Sequence, residues 1–196
     1  MIYRSKAPLR IGLAGGGTDV SPYCDLYNGA ILNATLSLYA YATLEVLDEP
    51  VIELHAWDQG DHLVYEMQDQ LPIDGKLDLL KGVYNRVRKD YGIPAKGLRL
   101  STYVDASAGS GLGTSSTLVV AIVGVFAEML KLPLGEYDMA HYAYEIERKD
   151  FRFYCAGCHK ERRLFAPPKV GTLRHFFQVL ITTSFFTLLT WPLWEW

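Results

Sequence analysis

The sequence predicts an α+β domain over residues 1–150, with a mixed or antiparallel sheet packed against helices, and three observations carry that expectation. Strand-like and helix-like patterns alternate along these residues, with turn residues between them. The run from Gly29 to Leu47 is dense in β-branched, aromatic and leucine residues, as strand would be. Thr114 to Leu130 is apolar nearly all round a helical circumference until Glu128, which predicts a buried helix.

The elements follow in order. Met1 to Lys6 leads straight into a patterned segment, and Val51–His55 and His62–Glu66 read as strands after the Gly29–Leu47 run. Leu77–Tyr91 sets Leu80, Val83, Tyr84 and Val87 on one face and Lys81, Arg88 and Lys89 elsewhere, an amphipathic helix ended by Gly92 and Pro94. Leu98–Val104 reads as another strand. The apolar helix is closed by Leu132-Pro133, and Glu136–Arg148 reads as a third helix with Tyr137, Ala140, His141 and Tyr144 on one side.

Composition narrows the function. A chain of 196 residues, 49% hydrophobic and 21% charged, is ordinary globular material. Its net charge of -3 argues against nucleic acid, because phosphate-backbone affinity needs clustered Lys and Arg. Small anionic ligands stay open, since backbone amides bind them without net positive charge. No apolar segment of a secretory leader follows Met1, so the expected location is cytoplasmic. The odd count of Cys24, Cys155 and Cys158 fits no disulfide framework.

Two glycine clusters hold the chemistry. Between Val104 and Thr117 a strand runs into a buried helix through Gly109, Gly111 and Gly113, with Ser110, Thr114, Ser115 and Ser116 interspersed. Glycines let backbone approach an oligophosphate, and the free amides and dipole of a helix start favour its charge. A plain connection capped by Thr114 or Ser115 fits the same residues. No Gly-Lys-Ser/Thr follows, and the third glycine of the dinucleotide fingerprint is absent. The second cluster, Gly15-Gly16-Gly17, lies between Arg10 and Asp19; it reads either as a ligand site or as a tight turn capped by Asp19.

Gly109-Ser110-Gly111-Leu112-Gly113-Thr114-Ser115-Ser116 resembles the second motif of the GHMP kinases, and Ala7–Val20 resembles their first motif in its sugar-kinase form. The resemblance implies that residues 109–116 wrap the phosphates of ATP, that Ser115 and Glu147 hold Mg²⁺, and that Arg10 stands catalytically beside the transferred phosphoryl group. It implies a sugar-binding turn of Gly16, Gly17, Thr18 and Asp19, with Asp19 accepting sugar hydroxyls. Gly16-Gly17 replaces a bulkier pair of the galactokinases, which counts against galactose. Leu32–Tyr39, Asp74–Asp78 and Tyr144–Arg148 look most like the kinases of D-glycero-D-manno-heptose 7-phosphate. The implied activity is ATP- and Mg²⁺-dependent transfer to the anomeric hydroxyl of a phosphosugar. The alternatives are another GHMP sugar kinase such as a fucokinase, or a non-catalytic nucleotide-binding module.

The resemblance ends near residue 150. The family's glycine-rich turn and Asp-Gln pair do not follow Glu147, and Phe151–His159 stands in their place, so the expectation is a truncated enzyme with impaired catalysis. Residues 151–175 read as a basic linker. Its Cys155-x-x-Cys158-His159 matches haem attachment without an export signal, a zinc site with distant His175, or two plain cysteines. Residues 176–194 carry no charge and would span about 28 Å as a helix. They read as a membrane anchor leaving the kinase half cytoplasmic, or as the product of a frameshift or fusion.

Overall fold

A computed structural model of the chain describes residues 1–18, 23–94 and 96–147. Asp19 and every expectation for residues 148–196, the linker cysteines and the uncharged tail included, lie outside the described residues. Among the described residues no helix is long and apolar enough to cross a membrane.

Five strands, β1 (Ile2–Ala14), β2 (Leu32–Leu47), β3 (Val51–Ala56), β4 (Asp61–Glu66) and β5 (Gly97–Val104), form one sheet in the order β1-β2-β5-β3-β4. The β1–β2, β2–β5 and β3–β4 pairs are antiparallel and the β3–β5 pair is parallel, so the sheet is mixed. Strand periodicity places alternate side chains on opposite faces. Ser5, Ala7 and Leu9 of β1, Ala40, Ala42 and Leu44 of β2, Leu98 and Leu100 of β5, and Ile52 and Leu54 of β3 are buried together on one face. Their neighbours Tyr39, Tyr41, Arg99, Glu53 and His55 take the other.

Helices cover the buried face. A short α1 (Tyr23–Tyr27) precedes β2, and α2 (Asp78–Tyr91), α3 (Thr114–Leu130) and α4 (Glu136–Glu145) follow the strands. Helix α3 packs on β1 and β2 and is flanked by α2 and α4. Its residues 117–119 and 121–127 are buried, as its apolar circumference predicts. Close approach depends on small residues. A Cβ at Gly124 would meet the Ser5 hydroxyl oxygen at 2.6 Å, beside the short side chains of Ala7, Ala40 and Ala42.

Three sequence expectations change. Lys81, placed off the apolar face of α2, is fully buried, its Nζ 2.5 Å from Asp74 and 3.5 Å from Asp78. The Asp78 carboxylate also accepts the amides of Asp74 and Gly75, so Asp74–Asp78 is a turn folded around an ammonium group. Desolvation works against that charge, but hydrogen bonds with Asp74 and Tyr65 outweigh it and raise the Lys81 pKa. The buried side of α4 is Met139, Tyr142 and Ala143, continued by Ile146, which is the expected periodicity displaced by two residues. The Tyr142 hydroxyl donates to Asp90, and Arg86 reaches both Asp90 and Glu145, which fixes α4 on α2. Finally, neither Thr114 nor Ser115 caps α3: the N-cap is Gly113, left-handed at φ 72°, with no side-chain cap.

Candidate functional site

The glycine loop between β5 and α3 is anchored at both ends. Where β5 ends, the Asp105 carboxylate accepts the Tyr39 amide at 2.8 Å and the Tyr41 hydroxyl at 3.4 Å, which pins the loop's entry to β2. Burial and the adjacent Asp105 raise the Tyr41 pKa, so the phenol remains a neutral donor. At its exit the Thr117 hydroxyl donates to the Gly113 carbonyl at 2.9 Å. Between them Gly109, Gly111 and Gly113 all take positive φ, of 81°, 74° and 72°, a conformation other residues adopt only at a cost. Because α3 has no side-chain cap, no cap consumes the amides of its first turn.

Strand β1 brings Arg10 to this loop. The Arg10 amide donates to the Leu112 carbonyl at 3.2 Å. A Cβ on Gly113 would lie 3.2 Å from the Arg10 Nε and 3.6 Å from Cζ, so the guanidinium stem lies across the loop's last glycine. A fixed cation thus stands at a helix start whose dipole and amides favour an anion.

The helical turn that continues α4 past Glu145 brings Glu147. The hydroxyl that meets it belongs to Ser116, which donates to Glu147 Oε1 at 2.8 Å, while the neighbouring Ser115 side chain is exposed. The donors here are a carboxylate and hydroxyl oxygens, the hard set that suits Mg²⁺.

At the end of β1 the three glycines behave differently. A Cβ on Gly15 would lie 1.9 Å from the Ala30 carbonyl oxygen, and its φ is 75°. Gly17 has φ 90° with nothing within 4 Å of a Cβ, and Gly16 has neither a positive φ nor a neighbour within 4 Å. Thr18, expected in the sugar-binding turn, holds the turn together. Its hydroxyl lies 2.7 Å from the Gly15 carbonyl and 3.0 Å from that of Ala30, and accepts the Ala30 amide at 3.1 Å. One hydroxyl proton serves two carbonyls, so this oxygen is committed to backbone.

The structure therefore gathers Arg10, residues 109–116 and Glu147 around the start of α3, and places Gly16, Gly17 and Thr18 in the turn that ends β1. Sequence reasoning missed the Ser116–Glu147 bond, the Thr18–Ala30 clasp and the burial of Lys81. Only the hydroxyl-rich composition around each glycine cluster hinted at the first two.

The chain is similar to known proteins in sequence and in fold. Residues 78–156 match the family described as GHMP kinases N terminal domain. The chain is 51% identical over 147 residues to a D-glycero-alpha-D-manno-heptose 7-phosphate kinase of Campylobacter jejuni, covering 75% of this chain and 43% of that protein. A crystal structure of a D-glycero-D-manno-heptose 1-phosphate kinase from Bacteroides thetaiotaomicron superimposes with TM-score 0.73 at 56% identity, covering 78% of this chain and 49% of that one. The galactokinase of Lactococcus lactis, solved with galactose, matches at TM-score 0.62 and 18% identity over 76% of this chain and 38% of its own, a likeness of fold alone. The chain spans about half the length of the relatives it matches.

Proposed function

Because this chain carries the amino-terminal domain of a GHMP kinase, we propose that it binds ATP at the start of α3 and serves transfer of the γ-phosphate to the anomeric hydroxyl of a heptose 7-phosphate. The observation that carries this reading is the Arg10 side chain lying across Gly113, beside an uncapped helix start. The loop amides take the phosphate oxygens, and Arg10 offsets charge that builds on the transferred group. Ser115, Ser116 and Glu147 are the residues that would hold Mg²⁺, which would supply positive charge against the phosphates. Gly16 and Gly17 admit the sugar, and Asp19 accepts its hydroxyls; the choice of a heptose phosphate rests on the names of the two relatives at over 50% identity.

The domain supplies nucleotide binding, and we propose that catalysis by this chain alone is impaired. Calorimetric titration with ATP, paired with an assay of ADP release on adding D-glycero-D-manno-heptose 7-phosphate, tests both parts. Absence of ATP binding would sink the reading; binding without turnover would reduce the chain to a nucleotide-binding module.

Two variants sharpen it. Arg10→Ala is expected to weaken ATP about tenfold, the equivalent of one charge-assisted hydrogen bond. Glu147→Gln is expected to leave Mg²⁺-free ATP binding unchanged and to remove most of the gain that Mg²⁺ adds. Equal losses with and without Mg²⁺ would return Glu147 to a purely structural role.

A further inference from the structure

On the sheet face opposite the helices, far from β1, we propose that Glu53, His55 and His62 form a binding site for a divalent transition ion of the zinc class. His55 on β3 stands directly across from His62 on β4, and Glu53 lies two residues before His55 on the same face. A nitrogen or oxygen from each of the three lies within 4.8 Å of the other two.

The inner pair is already at ligand spacing. His55 Nε2 and Glu53 Oε2 are 3.6 Å apart, too long for a hydrogen bond. Two ligands bound tetrahedrally at about 2.0–2.1 Å from one zinc ion stand roughly 3.3–3.4 Å apart. His55 Nε2 is moreover the one buried side-chain polar atom without a hydrogen-bond partner among the described residues. Such an atom costs free energy unless something satisfies it, and a metal ion does.

The surroundings support coordination as well. Arg99 Nε donates to Glu53 Oε2, and its NH1 donates to Glu45 at 2.8 Å. Glu53 is thus oriented from behind, as ligating carboxylates are, and Oε2, which has a second lone pair, faces His55 at ligand spacing. Glu45 offsets the arginine charge. Trp57 and His62 both stack on the His55 ring, with centroids at 5.6 and 3.8 Å, which restrains its rotation. His62 is exposed, so its ring borders solvent from which an ion can enter. Two imidazoles and one carboxylate suit Zn²⁺, Ni²⁺ or Co²⁺ over Mg²⁺, which separates this site from the hard-oxygen donors at Ser116 and Glu147.

The test is titration of the full chain with Zn²⁺ alone by calorimetry, and with Co²⁺ alone by visible absorption. Cys155→Ser and Cys158→Ser form the background, because those thiols and His159 would take zinc themselves. One equivalent is expected to bind. His62→Ala, at an exposed position that should not disturb folding, is expected to weaken it by about 100-fold or more, because loss of a ligand costs at least what loss of an outer-shell partner does. Glu53→Gln should lower it as well. Absence of saturable binding, or affinity unchanged in His62→Ala, overturns the proposal.

Discussion

Replacing Gly15 by alanine is expected to lower stability by about 3 kcal/mol, with contributions from the left-handed backbone and from a clash the turn cannot relieve. The built Cβ lies 1.9 Å from a backbone oxygen, that of Ala30, so no side-chain rotation makes room. The turn would have to open, and the Thr18 clasp on Gly15 and Ala30 would break with it. Urea unfolding should show a lower midpoint at constant slope. The neighbours calibrate this result. Gly17→Ala, with φ 90° and open space, should cost only about 1 kcal/mol. Gly16→Ala should fall within about 0.5 kcal/mol of the parent, because nothing in the fold requires glycine there. If Gly16→Ala nonetheless weakens acceptor binding, the glycine serves the ligand and not the turn. A Gly15→Ala protein as stable as Gly16→Ala would overturn this account.

The second large effect is expected at Lys81. Its side chain is fully buried against Asp78, itself 5% exposed, and truncation to alanine leaves a buried carboxylate without its cation. Breaking such a pair costs about 3–5 kcal/mol. Pairing Lys81→Met with Asp78→Asn should recover much of it, since the asparagine is neutral and keeps an acceptor for the Asp74 and Gly75 amides. The pH dependence has a definite sign. Lys81 has a folded pKa above its unfolded value, so its contribution is complete below about pH 10 and is lost as pH rises through the folded pKa. Tyr84 and Tyr142, both raised chiefly by burial, add to alkaline loss of stability. The difference in alkaline slope between the parent and the double variant isolates the lysine; equal slopes would remove it from the account.

These examples show what a sequence makes legible. Helix α3 could be read because its apolar circumference needs no knowledge of its partners. Strands β2 to β5, all of which precede it, could be read because alternation and β-branching are local. Lys81 could not, since its carboxylates belong to a turn that only the fold brings over it. Helix α4 showed its period but not its phase. Tyr137 and Tyr144 look as apolar as Tyr142, and Arg86 and Asp90 on α2 decide which hydroxyl is buried.

At the candidate site the glycine spacing was legible because backbone freedom is written into residue type. The role of Thr18 was not, because a hydroxyl next to a glycine turn serves a ligand or a carbonyl equally well. Ser116 and Glu147 are 31 residues apart, and which serine of the run faces the carboxylate depends on the rotation of α3. The Glu53, His55 and His62 grouping depends on the β3–β4 register; a shift of one residue would turn His62 to the other face.

The Ser116–Glu147 bond joins the first turn of α3 to the close of α4, and that makes one hydrogen bond answerable to two events. A ligand at the helix start competes for or reinforces it, and so does any constraint on the direction the chain takes after Glu147. By thermodynamic linkage, whatever factor the first event imposes on the second is returned unchanged. With nucleotide bound at the helix start as proposed, a domain joined beyond that point would therefore be felt as a change in nucleotide affinity.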